Sequence, residues 1–145
     1  MLVVLTKGKK IHFSIYWNIR FIIVCRSIQN QLQAGLIMEF WHRRWQSQEI
    51  GWHRKIYNDL LVKHWPKINA VERSNVLVPL CGKSLDMLWL AEQGYTIVGL
   101  EMVKQAAEAF FIENHFDFDS VEFGKHRKYS SQPFTIFQGD FFDLS

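Results

Sequence analysis

One glycine and one carboxylate set the first chemical expectation. Gly82 lies in the loop Cys81-Gly82-Lys83-Ser84, directly after the apolar run Val76-Leu77-Val78-Pro79-Leu80, and Glu101 ends the next apolar run, Tyr95 to Leu100. In sheets that bind dinucleotides, an acidic residue about 20 positions beyond the glycine loop, at the carboxyl end of the second strand, accepts hydrogen bonds from ribose hydroxyls. A carboxylate suits the task because its two oxygens match two vicinal donors. Glycine at the loop permits a backbone shape, or a close approach, that a Cβ would forbid. On its own the spacing is a weak signal, and an ordinary turn followed by a solvated glutamate produces it more often. The loop lacks the full G-x-G-x-x-G, so the indicated ligand is a nucleoside with a small polar tail and not a pyrophosphate.

Two further groups fall where they could reach such a ligand. Gly139-Asp140-Phe141-Phe142-Asp143 follows the apolar run Phe134 to Gln138. Asp140 would reach a polar edge from the same rim as Gly82 and Glu101, and Phe141 would stack on a base, although capping of a following turn is as good a use for Asp140. Upstream, Phe40-Trp41-His42-Arg43-Arg44-Trp45 and then Gly51-Trp52-His53 concentrate aromatic rings. Trp41 and Trp45, at i and i+4, share a helix face. Such rings either cover the edge of a sheet or form a lid over a flat ligand, to which they lend stacking area at small entropic cost. His42, His53 and His64 recur evenly, but Gly51 and Pro66 break any helix that would align them, so no metal site is expected. Cys25 and Cys81 form no C-x-x-C and stand in no zinc spacing.

The elements that must position these residues follow from periodicity. Ile56 to Trp65 carries apolar residues at Ile56, Leu60, Leu61 and Trp65, a helical spacing that Pro66 stops. Val76 to Leu80 is a short continuous apolar run, the pattern of a strand buried on both faces of a parallel sheet. Leu85, Leu88, Trp89 and Ala91 form the stripe of a helix closed by Gly94, with Ser84 as its cap and Asp86 at its positive end. Tyr95 to Leu100 is the next strand, and Val103 to Asn114 a second helix with Ala106, Ala107, Phe110 and Phe111 inward. Strand, helix, strand, helix implies a right-handed βαβ unit in a parallel sheet. Phe118 to Pro133 reads as a loop with at most a short edge strand, and Phe134 to Gln138 as a third strand.

Composition narrows the class. A chain of 145 residues, 48% hydrophobic and 21% charged, has the make-up of a soluble globular domain. The net charge of +3 is spread without a run of like charges, so neither nucleic acid nor a membrane surface is expected as partner. Ile11 to Cys25 is apolar, but Asn18 and Arg20 interrupt it and it is shorter than a bilayer span. As a secretion signal it lacks a small-residue cleavage site, since Arg26 to Gln33 is polar and bulky. A reduced, cytoplasmic protein is expected. The clear patterning begins at Met38, a second possible start, which divides the chain into an extension, 1–37, without an assigned fold, and a domain part, 38–145.

Taken together, Phe40-Trp41-x-x-Arg44-Trp45, Ile50-Gly51-Trp52-His53, Val78-Pro79-Leu80-Cys81-Gly82-Lys83-Ser84-Leu85-Asp86, Gly99-Leu100-Glu101, Phe110-Phe111 and Gly139-Asp140-Phe141-Phe142-Asp143-Leu144 resemble the thiopurine S-methyltransferase family, especially its bacterial members. The resemblance runs from about Met38 to Ser145. It implies a class I S-adenosylmethionine-dependent methyltransferase fold, α/β and Rossmann-like with a parallel sheet, here stopping after the third strand. It implies S-adenosylmethionine contacts at Trp41, Trp45, Leu80, Glu101, Asp140 and Phe141, to which the loop reading adds Gly82. Trp52, where the family usually carries Phe, would bound the acceptor pocket and alter the size of acceptor accepted.

The reaction implied is in-line methyl transfer to sulfur. A soft anion attacks and a neutral thioether leaves, so charge is annihilated and no catalytic base is nominated. The expected acceptor is a small thiol or thiopurine, with selenium and tellurium derivatives also within the resemblance, and a monomer is expected. Because the family's fold continues through further strands, the expectation is a fragment of weak or no activity whose third strand has a bare apolar flank. Two alternatives keep the same motifs: an inactive fold remnant or cofactor-binding fragment, and an NAD-dependent oxidoreductase fragment, against which the single-glycine loop argues.

Overall fold

The structure, a computed structural model, describes residues 2–5, 11–14, 31–51 and 53–143, with side chains from residue 35 onward, that of Phe142 excepted. Among the described residues seven strands form one mixed sheet in the order β2-β1-β3-β4-β7-β6-β5. They are β1 (Leu2–Leu5), β2 (Ile11–Ser14), β3 (Asn75–Pro79), β4 (Thr96–Glu101), β5 (Asp119–Phe123), β6 (His126–Ser131) and β7 (Phe134–Gln138). The helices are α1 (Gln31–Gln46), α2 (Asp59–His64), α3 (Asp86–Glu92) and α4 (Lys104–Glu113).

The centre is parallel. β3 pairs with β4 from Asn75 opposite Thr96 to Pro79 opposite Leu100, and β4 pairs with β7 from Ile97 opposite Phe134 to Glu101 opposite Gln138. α3 connects β3 to β4, as a parallel pair requires a crossover. Val76, Val78, Ile97 and Ile136 are buried in these strands, and the core is completed by Met87 and Leu90 of α3 and by Ala107, Phe110 and Phe111 of α4. The α4 face is the expected one. In α3 the fully buried residues are Met87 and Leu90, while the expected stripe of Leu88, Trp89 and Ala91 is only partly covered. The helix is one of only seven residues, and Met87 and Leu90 are the two it buries.

The expected helix over 56–65 is shorter and then tightens. Asn58 caps α2, its side chain accepting from the Leu60 N–H at 2.9 Å. A 3₁₀ turn, Trp65–Ile68, carries Pro66 in its first turn, where a missing N–H costs nothing. Trp65 and Leu61 join the core, but Ile56 and Leu60 are exposed. The Asn58 N–H donates to Asp86 Oδ1 at 2.7 Å, so α2 begins against the start of α3.

Two expectations are corrected. Phe118 to Pro133 is not a loop: β5 and β6 form an antiparallel hairpin from Asp119 opposite Ser130 to Phe123 opposite His126. β6 then pairs antiparallel with β7, so the third strand has no bare flank. The hairpin escaped the apolar pattern because all of β5 is exposed and its cross-strand partners include the ion pair of Glu122 with Arg127; an edge strand tolerates, and favours, such charge. Among the described residues before Met38, β1 lies antiparallel on β3, with Val3 opposite Leu77, and α1 starts at Gln31 and runs through Met38. The run Leu2-Val3-Val4-Leu5 supplies β-branched residues that suit pairing to an otherwise open strand.

Candidate functional site

The carboxyl ends of β3, β4 and β7 meet at one rim, and Glu101 stands at its middle. Glu101 closes β4, is buried, and points both carboxylate oxygens at backbone donors. Oε2 accepts from the Gly82 N–H at 2.8 Å and Oε1 from the Val103 N–H at 2.9 Å. One side chain thus ties the loop after β3 to the start of α4. Burial raises the Glu101 carboxyl above its usual range, against the backbone N–H donors of Val103 and Gly82, which favour the charged form.

Two left-handed residues shape the loop. Leu80 has φ +50° and the residue is 53% exposed at the rim. A branched residue is rarely held in that conformation. Gly82 has φ +51°, and a Cβ on it would lie 3.4 Å from Trp45 Cζ2, so the indole packs on the glycine face. The Cys81 N–H donates to the Leu100 carbonyl at 3.1 Å, which keeps the loop on the sheet. Lys83 turns away and gives Glu113, at the end of α4, a two-pronged ion pair at 2.6 and 2.8 Å. His53 lies in the field of that pair: its pKa is lowered, by burial first and then by Lys83.

α1 brings the aromatic rings. Trp45 is buried with Val103 and Ala106, and Trp41 and Ile50 pack against this group. The rings therefore rest on the first turn of α4, beside the backbone that Glu101 holds. Phe40, by contrast, is exposed, edge-on to Trp41 at 5.2 Å and under the Arg44 guanidinium at 5.3 Å.

The third strand end is joined to the same carboxyl rim through main chain. The Gly139 N–H donates to the Glu101 carbonyl at 2.9 Å, and the Gln138 side-chain amide donates to the Met102 carbonyl at 2.9 Å. Asp140 is exposed and Phe141 half-buried in the short turn that follows. Of the expected residues, Glu101, Gly82 and Trp45 are in mutual contact and Trp41 packs beside Trp45, while Leu80, Asp140 and Phe141 follow the carboxyl ends of the neighbouring strands β3 and β7. Trp52 lies outside the described residues. Among the described residues there is no group of His, Cys, Asp and Glu fit to hold a metal.

Sequence reasoning passed over several members of this rim. Gly99 is one: a Cβ there would come within 2.8 Å of Cys81 Sγ and 3.0 Å of Ile136 Cγ1, so only glycine admits the Cys81 side chain beneath the loop. The thiol is buried, and burial, with Glu101 adding to it, pushes its pKa well up. Val103 and His126 are the others. A glycine inside an apolar strand is a signal of close approach; nothing marked the other two.

A parallel βαβ centre with a strand-end carboxylate closing over a glycine loop is a Rossmann-like α/β arrangement. The family model of Thiopurine S-methyltransferase (TPMT) matches residues 36–145. Thiopurine S-methyltransferase of Shewanella pealeana is 44% identical over 105 residues, which are 72% of this chain and 48% of that protein. The protein of the same description in Pseudomonas putida is 45% identical over 105 residues, 72% of this chain and 49% of its own length. That in Shewanella sediminis is 42% identical over 108 residues, 73% and 48%. The chain belongs to the thiopurine S-methyltransferase family, and it spans about half the length of the curated relatives it matches.

Proposed function

We propose that residues 38–145 form the cofactor-holding part of a site for methyl transfer from S-adenosylmethionine to the sulfur of a small thiol or thiopurine. The observation that carries this is the buried Glu101 carboxylate, held by backbone on two sides at the end of β4. A carboxylate has about four acceptor positions, more than these two N–H donors use, and vicinal ribose hydroxyls are donors of the right chemistry for the rest. A sulfonium cofactor fits this rim: the Gly82 loop is held in place under Trp45, Leu80 offers exposed apolar surface, and Phe141 and Trp41 offer rings.

When bound, S-adenosylmethionine supplies an electrophilic methyl group. This chain's own residues hold and enclose it. Glu101 accepts the ribose hydroxyls, Trp41 and Trp45 exclude water above the loop, Gly82 and Leu80 flank the methionine end, and Asp140 and Phe141 meet the base. Trp52 bounds the acceptor side and sets its size limit. The acceptor enters as its anion, so no side chain is assigned a proton; alignment and exclusion of water supply the acceleration.

Isothermal titration of the full chain with S-adenosylmethionine, with and without a thiopurine, tests the reading. Saturable binding that Glu101→Gln weakens by tenfold or more is expected, since each hydrogen bond to a charged group contributes about 1.5–3 kcal/mol. Unchanged affinity in that variant would remove the assignment of Glu101.

A further inference from the structure

The antiparallel hairpin at the sheet edge ends against the cofactor rim. Its turn residue Lys125 and the first residue of β6, His126, both reach the segment 139–143: Lys125 Nζ pairs with Asp143 Oδ1 at 2.6 Å, and His126 Nε2 lies 2.8 Å from the Asp140 carbonyl oxygen. A carbonyl only accepts, so Nε2 carries the hydrogen and donates it. His126 is 3% exposed, unlike the rest of the hairpin tip, and its ring meets Phe137 edge-on at 6.4 Å. The ring also lies directly on Gly139: a Cβ there would fall 2.5 Å from His126 Cδ2 and 3.1 Å from Nε2. Gly139, with φ +153°, is therefore clasped between two elements. Its N–H donates to the Glu101 carbonyl on one side, and the imidazole covers it on the other.

We propose that His126 is a positioning residue for S-adenosylmethionine, fixing the Gly139–Phe141 turn through its hydrogen bond to the Asp140 carbonyl while touching no ligand itself. The proposal rests on the functional reading above for the identity of the ligand, but not for the hold on the turn. Loss of a donor to a buried-side carbonyl frees the turn to rotate, and both Asp140 and Phe141 then leave the rim together. A histidine that merely filled space would be replaceable by an apolar side chain of similar size. One that acts as a donor is replaceable by glutamine, whose amide nitrogen extends to a similar distance, and not by leucine.

The test compares His126→Leu, His126→Gln and Lys125→Ala in the full chain by amide hydrogen exchange over residues 138–143 and by titration with S-adenosylmethionine. His126→Leu is expected to speed exchange of this segment about tenfold, with exchange in β3 and β4 unchanged, and to weaken cofactor binding about fivefold or more. His126→Gln is expected to restore both. Lys125→Ala, which removes only an exposed ion pair, is expected to leave affinity within about twofold. Equal exchange in His126→Leu and the unaltered protein overturns the proposal. So does faster exchange without weaker binding, because the turn would then be held for another purpose. If the unaltered protein binds no S-adenosylmethionine, it is the functional reading that fails, and the exchange comparison alone decides whether His126 holds the turn.

Discussion

The parallel centre and the antiparallel edge of this sheet both end at the same rim, but they hold it by different physics. At the centre, β3 and β4 deliver Gly82 and Glu101 with buried groups: a carboxylate in two backbone hydrogen bonds, an indole on a glycine face, a thiol seated on another glycine. At the edge, β5 and β6 deliver their hold through a tip of polar residues, with one buried imidazole and otherwise exposed ions. Water competes with the exposed ion pairs of the edge, though not with its one buried imidazole, and with few of the bonds at the centre. Substitutions at the centre should therefore cost several-fold more stability than substitutions of equal size at the edge.

The largest effect is expected at Trp45. It is buried against Val103 and Ala106 and covers Gly82, so Trp45→Ala empties the junction between α1, the loop and α4. A loss of about 3–5 kcal/mol is expected from chemical denaturation, in the range of aromatic-to-alanine changes in cores. A loss under 1 kcal/mol would mean that α1 merely rests on the rim, and the contrast between centre and edge would weaken.

Next comes Gly99→Ala. The added methyl meets Cys81 Sγ and Ile136 Cγ1 at distances below ordinary contact. Both neighbours belong to packed strands or the loop they support, so about 1–3 kcal/mol is expected, as for other overpacked cores. Pairing it with Cys81→Ala sharpens the reading: if the clash is with the thiol, the double variant should recover part of the loss.

The difference between the two regions also decides what was readable beforehand. Val76 to Leu80 and Tyr95 to Leu100 are unbroken apolar runs because both faces of a central parallel strand are covered, and they stood out with their turn residues Gly82 and Glu101. Phe110 and Phe111 stood out for the same reason, as the inward stripe of α4. Asp119 to Ser131 did not, because β5 is an exposed edge strand with no buried face to betray it and β6 buries only His126 and Tyr129; Glu122 and Arg127 look alike in a loop and in a ladder. The hold of His126 on Asp140 was invisible for a further reason: it depends on a hairpin register, His126 opposite Phe123, that no local spacing encodes. β1 was missed because its partner is β3, about 70 residues on. The candidate rim was thus legible where strand ends carry it, and illegible where a second element props it up.

Protonation gives a smaller effect, peculiar to the centre. Burial raises the Glu101 carboxyl in the folded state. The folded chain then binds more protons than the unfolded one between the unfolded value and the raised one, so the stability contributed by this group is present below the unfolded value and is lost as pH rises through the folded one. Ligand hydroxyls that donate to the carboxylate favour its charged form, so affinity for S-adenosylmethionine should move the opposite way and rise with pH over that window. Titrations at several pH values on the unaltered protein and Glu101→Gln check this: the variant should show neither trend. No pH response in the unaltered protein would mean that the carboxylate is better solvated than its place at the end of β4 allows.

The smallest effect is expected at the edge itself, and it is the one that tests the comparison most directly. Arg127 pairs with Glu122 across the β5–β6 ladder, both side chains well exposed. Ion pairs of this kind contribute about 0.2–1 kcal/mol, and salt screens them. Arg127→Ala should therefore shift stability by less than about 1 kcal/mol, with the difference shrinking as salt is raised toward 1 M. Exchange over 138–143 should stay as it is, because the His126 ring and not the charge beside it clasps Gly139. Should Arg127→Ala instead loosen that turn as strongly as His126→Leu, the hairpin would be acting as one rigid lever on the rim, and the line drawn between a buried hold and an exposed one would have to move outward to include the whole edge.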